Sequence, residues 1–196
     1  MGGTLLKTIE ISQKLRHDME KVLTEDRFDH TLGVAYTAAA MAFQYDIDVQ
    51  KAISAGMLHD CAKCLSHEER LKICKKNDIA VSDVELRNPA LLHAKVGAFI
   101  AENQYAISDS EILDAIRYHT TGRPAMTLLD KIIFTADFIE PNRKNIQDIN
   151  MIRKEAFTDI DKCVKHILHD TLIYLDTIGG ECDPTTQETY NYYMAL

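Results

Sequence analysis

The sequence predicts an all-α protein folded as one compact domain, and three observations carry that expectation. Breakers are scarce: 196 residues contain 4 Pro and 8 Gly and no Trp, which favours long helices over a many-turned β-fold. Apolar residues recur at the spacing of a helix face along most of the chain. Several Ser/Thr-x-x-Glu boxes mark sharp helix starts, because the hydroxyl and the carboxylate each accept from a backbone N–H left free in the first turn. No stretch alternates as a half-buried strand does, and there is no internal repeat or low-complexity segment.

Taken in order, Thr4 to Leu23 is a first amphipathic helix, with Leu5, Ile9, Leu15, Met19 and Val22 on its apolar side. Glu25-Asp26-Arg27-Phe28-Asp29-His30 starts a second, which buries Leu32, Val34, Ala35, Ala38, Ala39 and Ala42; this alanine-rich face allows close helix approach. Asp46-Ile47-Asp48 ends it, and Asp48 can cap the next helix. That helix is apolar and runs into Met57-Leu58-His59-Asp60. The box from Ser66 to Glu69 opens a helix through Cys74. The box from Ser82 to Glu85 opens a short one stopped by Pro89. The box from Ser108 to Glu111 opens a helix through Ile112, Ala115, Ile116 and His119. Thr127 to Ile139 is a strongly apolar helix ended by Pro141. A long amphipathic helix is expected from about Lys154 to Ile178, stopped by Gly179-Gly180. The box from Thr185 to Glu188 opens a last short helix.

Composition narrows the function. Apolar residues make up 46% of the chain, enough for a real core. A net charge of −8 argues against a general nucleic-acid binder, which shows a basic face. It leaves a phosphate substrate open, because metal ions and a few Arg or Lys make a site locally positive. No apolar run approaches the ~18 residues of a membrane span, and no secretion signal is seen. The five cysteines then read as free thiols of a cytoplasmic protein. Cys61-Ala62-Lys63-Cys64 is a C-x-x-C with no second pair to complete a zinc site.

Polar residues stand out where the pattern is otherwise apolar: His30 near a helix start, His59 with Asp60, His93 after Leu91-Leu92, His119 after Tyr118, and Asp137 after Ala136. Singly, each reads most simply as a satisfied core or boundary residue. On separate helices of one bundle they become a buried cluster of imidazoles and carboxylates, and bundle interiors are where such metal sites are built. A divalent cation offsets the cost of burying them. His119 precedes the break Thr120-Thr121-Gly122-Arg123 and is expected at a site mouth, whereas Asp137 is expected deep in an apolar helix. His17, His67, His166 and His169 lack this setting and read as structural or solvated, with His166 and Asp170 as an exposed i,i+4 pair.

The ordered set His30, His59-Asp60, His93, His119, Asp137 resembles the HD-domain superfamily of metal-dependent phosphohydrolases. The segments Arg27 to Val34, Ala55 to Lys63, Leu92-His93-Ala94, Tyr118 to Gly122 and Ala136 to Arg143 look like the motifs of the bacterial YqeK family, and the tail from Pro184 to Asn191 also fits. The resemblance covers about residues 20–192 of a single domain spanning 1–196, with the helix of residues 4–23 packed on it. Its most specific part is Asp137-Phe138-Ile139-Glu140-Pro141-Asn142-Arg143. The chain departs at Met57 and Cys61, neither an implied ligand.

What the resemblance implies is a symmetrical dinucleoside tetraphosphate hydrolase that splits diadenosine tetraphosphate into two ADP, with iron in the site. Ligand chemistry alone also admits manganese, cobalt or zinc. Carried across residue by residue, His30, His59, Asp60 and Asp137 would hold one ion. His93 and His119 would hold a second with Asp60 bridging, or touch phosphate; with Asp60 they form the implied catalytic set. Arg27, Lys63, Arg123 and Arg143 lie beside the motifs and, with His93 and His119, are candidates for the substrate phosphates. The implied partners are the dinucleoside polyphosphate and its ADP product, with no nucleic acid and no membrane; a homodimer is left open. Two alternatives stay open too: a nucleotide-binding regulator without turnover, and an HD phosphohydrolase acting on another nucleotide or an alarmone.

Overall fold

The computed structural model describes residues 12–196, so the expected helix is seen only from its middle and Leu5 and Ile9 lie outside the described residues. All regular structure among the described residues is helical. α1 (Gln13–Val22) leads into α2 (Glu25–Gln44) and α3 (Val49–Leu58). Met19 is buried on α1 as expected, but Val22 is 48% exposed and Leu23 takes its place in the core. α2 and α3 form the closest pair. Ala35, Ala38 and Ala42 present a shallow surface to Ala52, Ala55 and Gly56, all fully buried or nearly so. An added Cβ at Gly56 would lie 2.8 Å from the Ala35 Cα, so glycine here sets how near the two backbones come. Asp48 caps α3 by accepting from the Gln50 and Lys51 N–H groups.

α4 (His67–Lys76) and α5 (Asp83–Arg87) each start on the expected reciprocal box, from Ser66 and Ser82. α6 (His93–Gln104) was not expected from the sequence. Its N-cap is Leu92, with no side-chain cap hydrogen bond, so no start signal exists to be read. α7 (Ser110–Arg117) is capped by Asp109 rather than by Ser108, and it stops at Arg117, which leaves His119 in the turn beyond. α8 (Leu128–Ile139) starts on the Thr127–Asp130 box and runs through the centre, with Ile132, Ile133 and Ala136 fully buried against α2, α3, α7 and α10.

The long helix expected from Lys154 is two helices. α9 (Ile149–Thr158) and α10 (Ile160–Thr177) are separated at Asp159, whose extended backbone (φ −154°, ψ 90°) breaks the first while its carboxylate caps the second at Lys162 N. The apolar period carries across this one-residue break, which is why the pattern reads as continuous. α11 (Pro184–Met194) is capped by Asp183, two residues before the start of the expected box, with Pro184 in its first turn. α11 packs back over the turn after α7: the Met126 N–H donates to the Tyr193 hydroxyl. A Cβ at Gly122, whose φ is +62°, would meet Thr189 at 2.8 Å.

The tight α2–α3 contact yields a prediction. Gly56→Ala inserts a methyl where the opposing group is backbone and cannot rotate away, so it should destabilise the fold by about 1–3 kcal/mol. Urea unfolding followed by circular dichroism measures this, and a midpoint equal to wild type would contradict the packing account.

Candidate metal centre

Five segments end at one place. His30 comes from the second turn of α2, His59 and Asp60 from the end of α3, His93 from the first residue of α6, His119 from the turn after α7, and Asp137 from the last turn of α8. Among them, His30 Nε2 is 2.9 Å from Asp137 Oδ1, and His59 Nε2 is 3.5 Å from Asp60 Oδ2 and 4.0 Å from Asp137 Oδ1. His93 Nε2 is 3.1 Å and His119 Nε2 3.6 Å from Asp60 Oδ1. Asp60 therefore faces two groups with its two oxygens: Oδ2 toward His30 and His59, Oδ1 toward His93 and His119.

The proton positions on three of these rings follow from the backbone. Nδ1 of His59 donates to the Gly56 carbonyl at 2.7 Å, Nδ1 of His93 to the Ala90 carbonyl at 2.6 Å, and Nδ1 of His119 to the Ile116 carbonyl at 2.7 Å. A carbonyl can only accept, so Nδ1 carries the hydrogen and a neutral ring presents a bare lone pair at Nε2. For His59 and His119 the acceptor is a carbonyl in the last turn of a helix, one of those no intrahelical N–H can satisfy. His30 is fixed differently: its Nδ1 donates to Glu140 Oε1 at 3.1 Å.

The cluster is thus an assembly of acceptors. His93 Nε2 and His119 Nε2 lie 3.1 Å apart, and the buried His30 Nε2, His59 Nε2 and Asp60 Oδ1 have no hydrogen-bond partner. Buried polar atoms are ordinarily paired, so a cluster of orphaned lone pairs marks a place built for a cation. Three overlapping sets have ligand atoms within 4.8 Å of one another: His30, His59 and Asp60; His59, His119 and Asp137; Asp60, His93 and His119. Imidazole and carboxylate together suit a divalent transition metal, and the residues present fit one.

Electrostatics agree. Burial lowers the His59 pKa to about 4, against the opposing pull of Asp60, so the ring is neutral. Burial likewise lowers the His93 pKa. For Asp60, burial alone would raise the carboxyl, but the field of His59 and contacts from His119 and His93 hold it well below the usual range. Asp137 is also held low: burial raises it, while His30 and the other imidazoles outweigh that.

A cationic rim borders the cluster. Arg27 donates to Asp60 Oδ2 at 2.9 Å, Lys63 Nζ to His93 Nε2 at 3.2 Å, and Arg143 to Asp137 Oδ1 at 2.8 Å. Arg123 does not join them: it is paired with Asp130 and Asp114 and lies over the Tyr118 ring. Depth is also the reverse of the sequence expectation. The His119 side chain is 1% exposed and that of Asp137 23%; the His119 ring is packed between those of His59 and His93. Cys61 is buried and donates to the Gly97 carbonyl, and no cysteine belongs to a candidate metal group among the described residues.

Glu140 is the functional residue that single-residue reasoning passed over. It is 1% exposed and orients His30 through Oε1, while its Oε2 accepts from the Asn142 N–H at 2.6 Å. A Cβ on Gly33 would lie 2.6 Å from that Oε2, so the glycine in His30-Thr31-Leu32-Gly33 makes room for it. Carboxylate behind ligating histidine is a recurrent arrangement that fixes the ring. Arg153 holds the same segment from outside, donating to the carbonyls of Ile139, Glu140 and Arg143. The signal was present in the Asp137-to-Arg143 block, but nothing in it shows which helix Glu140 reaches.

An all-helical bundle with a His and Asp cluster of this kind defines a metal-dependent hydrolase of the HD type, and the HD-domain family model matches residues 27–142. The chain belongs to the HD-domain family and, within it, groups with proteins named symmetrical bis(5'-nucleosyl)-tetraphosphatase. It is 38% identical over 177 residues to the protein of that name from Bacillus subtilis, covering 90% of this chain and 94% of the relative. It is 40% identical over 172 residues to the one from Halalkalibacterium halodurans, covering 88% and 91%. A crystal structure described as a predicted HD superfamily hydrolase involved in NAD metabolism, from Clostridium acetobutylicum, superimposes with a TM-score of 0.91 at 37% identity, over 95% of this chain and 98% of that one.

The shifted imidazole makes the metal-free fold sensitive to acid. With a folded pKa of about 4 against 6.5 for an ordinary ring, the unfolded chain binds that proton first. The stability contributed by neutral His59 is therefore complete above about pH 6.5 and is lost as pH falls toward 4. The depressed carboxyls of Asp60 and Asp137 act in the same direction, but only at lower pH. Thermal unfolding in chelator should show a falling midpoint across this window, and His59→Asn should flatten it. A midpoint independent of pH there would contradict a neutral, buried ring.

Proposed function

We propose that this chain hydrolyses the phosphoanhydride of a dinucleoside tetraphosphate symmetrically, releasing two nucleoside diphosphates, with diadenosine tetraphosphate giving two ADP. The observation that carries this reading is the cluster of bare imidazole nitrogens and two carboxylates, bordered by Arg27, Lys63 and Arg143. The names of the relatives support the substrate.

In this reading His30, His59, Asp60 and Asp137 hold the resident cation. The division of the Asp60 oxygens between two sets of histidines favours a second position, held by Asp60, His93 and His119. Iron is the metal the family resemblance favours; the donor set accepts manganese, cobalt or zinc as well. When bound, such ions supply an acidified water and neutralise charge on phosphate oxygens.

The chain's own residues do the rest. The net charge of −8 makes a local cationic rim necessary for so anionic a substrate, and Arg27, Lys63 and Arg143 provide it. The two guanidinium forks suit phosphate oxygens. Their present partners, Asp60 and Asp137, hold them in place across the mouth. Water adds to one inner phosphorus and gives up a proton, the bond from that phosphorus to the central bridging oxygen breaks, and one nucleoside diphosphate leaves with that oxygen while the other keeps the oxygen of the water. A nucleoside diphosphate is a fair leaving group, so the protein chiefly positions and neutralises. Arg123, engaged by two carboxylates elsewhere, has no part in this. The reading also places the protein in the cytoplasm.

Two outcomes test the reading. Metal-loaded protein incubated with diadenosine tetraphosphate should yield ADP alone on chromatography, and equal AMP and ATP would contradict the register of attack. His59→Ala and Asp60→Ala should each lose bound metal and turnover while keeping a helical far-ultraviolet spectrum; wild-type metal content with wild-type activity would contradict the ligand set.

A further inference from the structure

A large cavity adjoins the metal cluster. It encloses about 850 Å³, and Asp137 and Arg143 in its lining belong to the cluster and its rim. One wall is a single stripe of α10: His166, His169, Asp170, Ile173, Tyr174 and Thr177. Their spacing of three and four puts them on one helix face. The rest of the lining includes Phe138 in the last turn of α8 and Ile146 of the α8–α9 connection. The stripe leaves large apolar groups in the open: Tyr174 is 61% exposed, and Ile173 is exposed beside it. His166 is held in place by Glu155, whose Oε2 accepts from Nδ1 at 2.9 Å.

The charge pattern says what this space can take. Arg143, paired with Asp137, is the only Lys or Arg in the lining, which also holds Asp148 and Asp170. Such a lining repels phosphate. It suits a neutral, planar, polar-edged group: apolar and aromatic surface for stacking, with carboxylates, imidazoles and amides to accept from or donate to hydroxyls and ring edges. The volume lies within the ~300–1,000 Å³ range of small-molecule pockets.

We propose that this cavity is the nucleoside subsite of the enzyme: one base and its ribose lie along α10, and the attached phosphates reach the cluster past Arg143. His166 and His169, which the sequence pattern assigns to structural or solvated positions, then become part of substrate recognition. This rests on the hydrolase reading above and extends it by naming where one end of the substrate binds.

The test separates base from phosphate. Binding of ADP and of inorganic diphosphate to metal-loaded protein is measured by calorimetry for wild type, Tyr174→Ala and His169→Ala, both substitutions being of exposed side chains. Loss of one stacking or edge contact should weaken ADP about tenfold in each variant and leave inorganic diphosphate within about twofold. ADP affinity unchanged in both variants would overturn the subsite, as would an equal loss for both ligands. A change in oligomeric state on sedimentation with ADP affinity unaltered would also overturn it, and would assign the face to a second copy of the chain. Failure of the hydrolase reading itself shows differently: wild type then binds neither ligand.

Discussion

Lone pairs facing lone pairs, out of water, are the condition everything else here answers to. Three imidazoles are locked with Nδ1 protonated by backbone carbonyls, a fourth donates to Glu140, and their Nε2 atoms converge on two carboxylates. Two of these nitrogens approach to 3.1 Å with neither free to donate. Arg27, Lys63 and Arg143 relieve part of the repulsion from one side. A cation would relieve the rest, and the buried orphan atoms lie among the groups that could hold one.

The bundle makes this arrangement by ending helices in the right places. A carbonyl at the end of α3 or α7 has no partner within its helix, and a histidine three residues on takes it. The same bond that satisfies the helix end turns the ring and chooses its tautomer. Gly56 serves twice, letting α3 approach α2 and giving its carbonyl to His59. Asp137, in the last turn of α8, sits at the negative end of a helix dipole. Arg143 offsets part of that cost. Structure and site are therefore not separable: α2, α3, α6, α7 and α8 are packed so that their ends meet.

The fold class was legible because capping boxes and helical periods are local, and Asp48, Ser66, Ser82 and Thr127 start helices as their side chains dictate. The six cluster residues were legible because each interrupts an apolar pattern. What the sequence concealed is long-range. α6 lacks a cap, so only tertiary packing defines its start. Asp159 breaks a helix without breaking its apolar period. Arg123 stands beside a motif residue yet belongs to Asp114 and Asp130. His119 is deep because its ring packs against His59 and His93, which come from other segments of the chain. Glu140 lay in plain view within the most distinctive motif, but its role depends on a histidine 110 positions away and on the missing side chain of Gly33.

Stripping the protein with a chelator and titrating back manganese, iron or zinc while following the thermal midpoint tests the central claim most directly. If the orphaned Nε2 atoms and Asp60 form a cation site, the midpoint rises saturably with metal, by RT ln(1 + [L]/Kd) in free energy. The rise should be abolished in a variant with both Asp60 and Asp137 replaced by asparagine. A midpoint indifferent to every divalent ion, or one that rises equally in that variant, would contradict the account.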